Sequence, residues 1–344
     1  MHQTANSDAG YAGGEADPHG HDSHGHDPHL AHHFETSQQQ FAAGKLGMWL
    51  FLVTEVLFFG GLFVAYAVYR SNHPEVFVDA HKYLDKVLGG FNTIVLLLSS
   101  LTMAWGVRCA QLGQRRGLVW CLTLTLACAS LFLGVKAVEY THKWDLGLYW
   151  GQAFVPQAAD MPHGDHEHGP WLWYLCLPAV LATAGYGLKA AVHQARGHTQ
   201  AAAVAFCLTL TALAFFAGVG AGKAIPALTG QFLAVEQDTA AHAAAHRPLD
   251  LSSRPPAEQL VIRDPEAASG ISLLAIFFSI YYLMTGVHVV HILAGMGVIA
   301  WLLGRAMRGE FSGQYFSPVD FTGLYWHLVD LIWIYLFPLL YLIH

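Results

Sequence analysis

Seven stretches of apolar residues, most of them about 20 residues long, run through this 344-residue chain. A helix rising about 1.5 Å per residue needs about 20 such residues to cross a hydrocarbon core of about 30 Å. The runs cover residues 46–69, 87–107, 118–140, 171–188, 201–222, 271–304 and 321–343. Backbone groups in lipid must be satisfied within the segment or within a closed barrel, so runs of this length predict helices. The composition agrees: hydrophobic residues make up 54% and charged residues 12%, about half the roughly 25% charge of soluble domains. The predicted fold is all-α, a polytopic membrane bundle of seven helices. The sixth run has 34 residues without Asp, Glu, Lys or Arg, too long for one upright helix, so it is expected to begin outside the core or to tilt.

Basic residues in short loops mark the cytoplasmic face. Arg108, Arg115 and Arg116 follow the second run, Lys189 and Arg196 the fourth, and Arg305 and Arg308 the sixth. All fall on one side, which predicts a cytoplasmic N-terminus and an outside C-terminus in a bacterial inner membrane. No basic cluster exceeds the Arg115-Arg116 pair, so a nucleic-acid partner is not expected. The polar first 40 residues lack the apolar core of a signal peptide, leaving the first run to act as its own insertion signal. Residues 1–44 read as a His-rich polar tail, disordered and cytoplasmic. A second cluster, His163, His166 and His168, falls in an outside loop; metal buffering is one reading of these histidines and a solvated, adventitiously binding segment the other. The five cysteines form no metal-binding or haem-attachment pattern, and no metal site is expected. Trp144, Trp150, Trp171 and Trp173 sit where interfacial aromatics do.

An ionisable group at mid-bilayer costs a few kcal/mol or more, so it needs a partner or a role. Glu55 lies in the first run among Phe51, Leu52, Phe58 and Phe59. It can relay protons, pair with a histidine on another helix, or donate a hydrogen bond across the bundle. Lys136, Glu139 and Lys143 are spaced to neutralise one another along one helix face, a structural arrangement before a chemical one. His288 and His291 are three residues apart, about 300° around a helix and hence near one face, and His327 and Asp330 repeat that spacing. Buried histidines bonded to neighbouring helices are the plain reading. A haem pair built from His288 or His291 with His327 is the alternative, and a second pair is hard to find.

These segments together resemble subunit III of the haem-copper oxidases. Lys45-Leu-Gly-Met-Trp-Leu-Phe-Leu-Val-Thr-Glu55-Val-Leu-Phe-Phe-Gly-Gly61 looks like that family's opening helix with its buried glutamate. Asn92-Thr93, Lys136-Ala-Val-Glu139-Tyr140, Gly286-Val-His288-Val-Val-His291 and Tyr325-Trp-His327-Leu-Val-Asp330 match further family segments in order. The resemblance implies a non-catalytic subunit of a cytochrome c oxidase with no haem or copper of its own. Those cofactors belong to partner subunits, above all the catalytic subunit I. It also implies phospholipid held in a cleft between helix groups, with proton uptake and stability sustained next door. Arg305, fourteen residues after His291 as in the family, matches an arginine at lipid phosphate, and Lys45, His33 and Glu35 fall where the family has headgroup-side residues. Subunit III of a quinol oxidase or nitric oxide reductase fits the same residues. A proton-coupled transporter is the rival of another class, although no repeat relates the two halves of the chain.

The resemblance covers roughly residues 32–150 and 268–344. The chain thus divides into the tail (1–44), three spans (45–145), an insertion (146–270) carrying spans 171–188 and 201–222 and a long outside loop, and two last spans (271–344). Five helices are the family's and two are inserted. Region 171–270 is a candidate docking site for a cytochrome c domain or another respiratory complex, or a lipid-facing elaboration.

Overall fold

The computed structural model describes residues 31–150, 171–229 and 265–343. All regular structure among them is helical: α1 (Ser37–Asn72), α2 (Pro74–Ala80), a 3-10 turn (His81–Tyr83), α3 (Lys86–Gln111), α4 (Arg115–Asp145), α5 (Trp171–Ala195), α6 (Thr199–Thr229), α7 (Pro265–Arg308) and α8 (Ser317–Tyr341). Seven of these, all but α2 and the 3-10 turn, are long and apolar enough to span a membrane. The protein is a multi-pass membrane helix bundle.

The helices outrun the apolar stretches at several ends, because helix continues into polar residues once a cap stops the fraying. The chain divides after Gly44. In the first unit the helix starts at Ser37, not at the apolar Leu46, so the last eight residues of the expected tail are helical. Thr36 Oγ1 accepts from the Gln39 amide at 3.2 Å, and Gln39 Oε1 accepts from the Glu35 amide at 3.0 Å, a variant of the capping box. His33 packs its ring against His32 and Phe34. The remaining tail histidines and His163, His166 and His168 lie outside the described residues.

In the second unit α6 runs on to Thr229 and α7 begins at Pro265, so the long outside loop expected between the spans 201–222 and 271–304 is helix at both ends. At 44 residues α7 is about 66 Å long, more than twice the roughly 30 Å of a hydrocarbon core. α4 is the hub. Of its most apolar window 56% is buried, against 11% for α1 and 6% for α5, which leaves those two helices to lipid or to partners.

The inserted helices attach through α6. Gly218 lies against Gly134 and Leu131 of α4 and Gly222 against Val135 and Val138, and a Cβ on Gly134 or Gly218 would collide with the carbonyl oxygen of Phe215 or Leu131. Small residues four apart permit this backbone approach where lipid gives no hydrophobic drive for association. Gly185 and Gly220, on the same two helices, face open space. α5 packs chiefly on α6 and is the outermost element.

The basic loops share one end of the bundle. The Arg115 guanidinium donates to the Met307 carbonyl, and the α5–α6 turn faces the end of α7. At the other end Trp144 meets Trp171 with ring centroids 5.6 Å apart, and Tyr282 packs against Tyr140, Trp144 and Trp150. Three of the four tryptophans expected at the interface thus gather with Tyr140 and Tyr282 at this end.

Candidate functional site

Three polar centres lie within the helices that carry the motifs. The first joins α1 to α7. Glu55 Oε2 lies 2.9 Å from His291 Nε2, and His291 Nδ1 lies 2.8 Å from the Val287 carbonyl one turn back. A carbonyl can only accept, so Nδ1 carries a hydrogen. Nε2 is then the ring nitrogen left to meet the Glu55 carboxyl, and the two side chains join α1 to α7 by a hydrogen bond. Phe59 sets its edge against the imidazole with centroids 5.1 Å apart, and the Tyr325 hydroxyl donates to the His291 carbonyl at 2.9 Å. The two side chains remain 17% and 19% exposed, so the pair sits at the margin of the bundle. Of the partners expected for Glu55, the structure supplies the histidine on another helix.

The second centre is built on α4 and is almost wholly buried. Glu139 accepts from Lys136 at Oε2 (2.8 Å) and from Lys143 (2.8 Å), Tyr281 (2.8 Å) and Tyr341 (2.5 Å) at Oε1. Lys136 also donates to the Tyr341 hydroxyl at 2.8 Å and lies 4.9 Å from the Trp333 ring centroid. Helical spacing brings the three charges to one face, and two tyrosine hydroxyls join Lys143 on Oε1. Two lysines against one glutamate leave an excess positive charge. Asp85, which caps α3 by accepting from the amides of Val87 (2.8 Å) and Leu88 (3.0 Å), feels both Lys143 and Glu139 and supplies the fourth charge. Burial pushes the Asp85 carboxyl above its ordinary value, while the two amides act in the other direction. The sequence pattern pointed to the lysine–glutamate spacing; Asp85, Tyr281 and Tyr341 carried no signal, because their proximity is a product of packing.

The third centre lies where α3, α4, α7 and α8 meet. His288 is fully buried, stacks on Trp333 at 5.4 Å and meets the edge of Phe132, and neither of its ring nitrogens has a hydrogen-bond partner among the described residues. Trp333 donates to Thr93 at 3.1 Å, His327 Nδ1 is bonded to Ser100 at 2.6 Å, and Asp330 is buried beside Ser100. His288 and His291 share a helix face in projection, yet one turns into the bundle and the other toward α1. With His327 bonded to α3, the three histidines each have different neighbours.

Arg305 ends α7 in an aromatic cage. Its guanidinium lies 4.7 Å from the Trp301 ring centroid and 5.2 Å from that of Phe311, donates to Glu310 at 2.5 Å and reaches the Tyr315 hydroxyl at 3.3 Å. Arg308 donates to the other oxygen of Glu310 at 2.5 Å. The two guanidinium groups hold the Glu310 carboxyl below its ordinary range. Lys45 lies 3.8 Å from Asp320. Among the described residues, no group of three or more His, Cys, Asp or Glu is arranged to hold a metal ion.

These centres fall on helices with relatives. The family model described as cytochrome c oxidase subunit III matches residues 29–145 and 262–344, leaving α5 and α6 outside it. The chain is 39% identical over 69 residues to the cytochrome c oxidase subunit 3 of Thermostichus vulcanus, covering 20% of this chain and 34% of that protein. It is 36% identical over 96 residues to that of Synechocystis, covering 28% and 41%. A protein of Staphylococcus haemolyticus named "Probable quinol oxidase subunit 3" is 35% identical over 147 residues, 41% of this chain and 72% of that one. The matches thus span about a third to two fifths of the first two relatives' length and nearly three quarters of the third. No solved structure matches. With five motif-bearing helices folded about these buried centres and the family model covering more than half of its length, this chain belongs to the cytochrome c oxidase subunit III family of the haem-copper oxidases.

Proposed function

We propose that this chain is the non-catalytic third subunit of a respiratory terminal oxidase in a bacterial inner membrane, oriented with its N-terminus in the cytoplasm. Its haem and copper belong to partner subunits, and it holds phospholipid and supports proton supply beside the catalytic subunit. The observation that carries this reading is the Glu55–His291 pair. It gathers two of the family's motif residues into one hydrogen-bonded unit at the edge of the bundle, on a helix left almost uncovered for a neighbour. A relative in Aeropyrum pernix named "Heme-copper oxidase subunit I+III", 35% identical over 77 residues, covering 22% of this chain and 9% of that one, supports subunit I as that neighbour. The Staphylococcus relative supports a quinol donor as the second reading.

The test is affinity purification of the tagged chain from its native membranes, followed by a reduced-minus-oxidised spectrum and metal analysis. Haem and copper should co-purify in a complex that reduces oxygen, and either cytochrome c or quinol as the better donor decides between the two readings. Purification of the chain without any haem-bearing partner from respiring membranes would sink the assignment.

A further inference from the structure

A cavity of about 860 Å³ lies at the basic end of the bundle, between the α5–α6 turn and the end of α7. That volume is within the range of roughly 300–1,000 Å³ typical of ligand sites. Its walls differ in chemistry from mouth to floor. Lys189, His193, His198 and Arg308 line the polar part, and none of the lining residues is acidic. Ala201, Val204, Ala205 and Leu208 line the apolar part, at spacings of three and four that place them on one face of α6. Leu208 lies about 12 Å along the helix from Gln200, a depth that leads from the headgroup layer into hydrocarbon.

The tight turn that forms the mouth follows from Gly197, whose φ of 74° closes α5, with the His198 amide donating to the His193 carbonyl at 2.9 Å. This closure sets the two histidine rings 6.0 Å apart. His193 Nδ1 is buried and has no hydrogen-bond partner among the described residues. Arg308 shares Glu310 with Arg305, so those three groups carry a net charge of one, and Lys189 adds a second. The first turn of α6 opens into the same space and adds a partial positive charge.

We propose that this cavity binds one anionic phospholipid, its phosphate between Lys189, His193 and Arg308 and an acyl chain along Val204 and Leu208. Its walls come mostly from α5 and α6, outside the stretch matched to the family, so the inference goes beyond the oxidase reading and stands without it. A cation near a membrane surface adds about five-fold in affinity for an anionic lipid, so two net charges predict about a 25-fold preference for phosphatidylglycerol over phosphatidylcholine.

The full-length chain, with whichever subunits co-purify, is titrated in mild detergent with dioleoyl-phosphatidylglycerol or dioleoyl-phosphatidylcholine, and bound lipid is counted by native mass spectrometry. Lys189→Gln should reduce the preference to about five-fold and Lys189→Glu should abolish it. Lys189 is exposed, so both variants keep the fold. Arg196→Gln, on the same turn but outside the cavity lining, should leave the preference intact. An equal loss in Arg196→Gln would mean diffuse surface attraction and overturn the site, as would a wild type without preference. Displacement of the lipid by tens of millimolar inorganic phosphate would identify a free-anion site and refute the lipid. Leu208→Trp should lower retention of both lipids, and unchanged retention would refute the acyl-chain contact.

Discussion

Removing the Glu139 carboxylate should destabilise this protein more than removing either of its lysines. Each lysine nitrogen lies 2.8 Å from a glutamate oxygen. At an effective dielectric of about 20, a pair at that distance attracts by about 6 kcal/mol, so Glu139 contributes about 12 kcal/mol of gross attraction. Desolvating three ions offsets most of this, at several kcal/mol each, which makes the intact cluster close to neutral in net stability. The asymmetry appears when one member is deleted. Glu139→Leu leaves two buried lysines facing each other, together with two tyrosine hydroxyls without their acceptor, and breaking a buried pair in this way costs about 3–5 kcal/mol. Lys143→Met leaves the Lys136–Glu139 pair intact and should cost less. The triple variant Lys136→Met, Glu139→Leu, Lys143→Met removes three of the four charges, leaves Asp85 on the amides of Val87 and Leu88, and should recover most of the loss, with Tyr281 and Tyr341, whose hydroxyls lie 3.5 Å apart, bonded to each other. Thermal unfolding of the purified protein, followed by loss of monodispersity, ranks the variants. If the triple variant is no more stable than Glu139→Leu, the penalty is not uncompensated charge and the reasoning fails.

The other centres give separate predictions. Glu55→Gln keeps a hydrogen bond to His291 but removes the titratable carboxyl, so an oxidase carrying it should assemble normally and lose activity faster during sustained oxygen consumption. Turnover identical to wild type, including at high pH, would count against a proton role. Gly134→Leu places a side chain on the α6 backbone and should detach the α5–α6 hairpin, read as protease sensitivity in α6 while α7 and α8 stay protected; equal protection throughout would refute the close-approach argument. The Glu310 carboxyl is held below its ordinary range, so its contribution is fully present above the unfolded carboxylate value near 4.3 and is lost as pH falls through the lower folded value. Proteolysis of the α7–α8 turn should therefore rise in strongly acidic buffer, and Glu310→Gln should show the acid-state susceptibility at neutral pH; a variant indistinguishable from wild type at pH 7 would contradict it.

How far the sequence reached can be judged residue by residue. The spans were readable because hydrocarbon thickness sets a minimum apolar length, a one-dimensional property of the chain. Helix ends are less legible: α1 starts at Ser37, where Thr36 and Gln39 cap it, and α7 at Pro265, both ahead of the apolar run. α2 and the 3-10 turn left no mark in hydropathy, being too short to span. Glu55 stood out as a charge in an apolar run, and its need for a partner followed from solvation alone. That the partner is His291, and not His288 three residues earlier, depends on which face of α7 meets α1.

By itself, the sequence determined that this protein is a seven-span helical bundle, that certain ionisable residues are buried, and that five helices carry one family's motifs. The first two follow from the local cost of placing a given side chain in lipid, and the third from the resemblance of the motifs. Tertiary structure alone decided the pairings: four donors on Glu139, a hydrogen bond between Glu55 and His291, Gly218 against α4 while Gly220 faces open space, and a basic cavity walled mostly by helices outside the family match. The physical reason is that burial is a property of each residue in its solvent, whereas a partner is set by the rotation and register of two helices, which only their mutual packing determines.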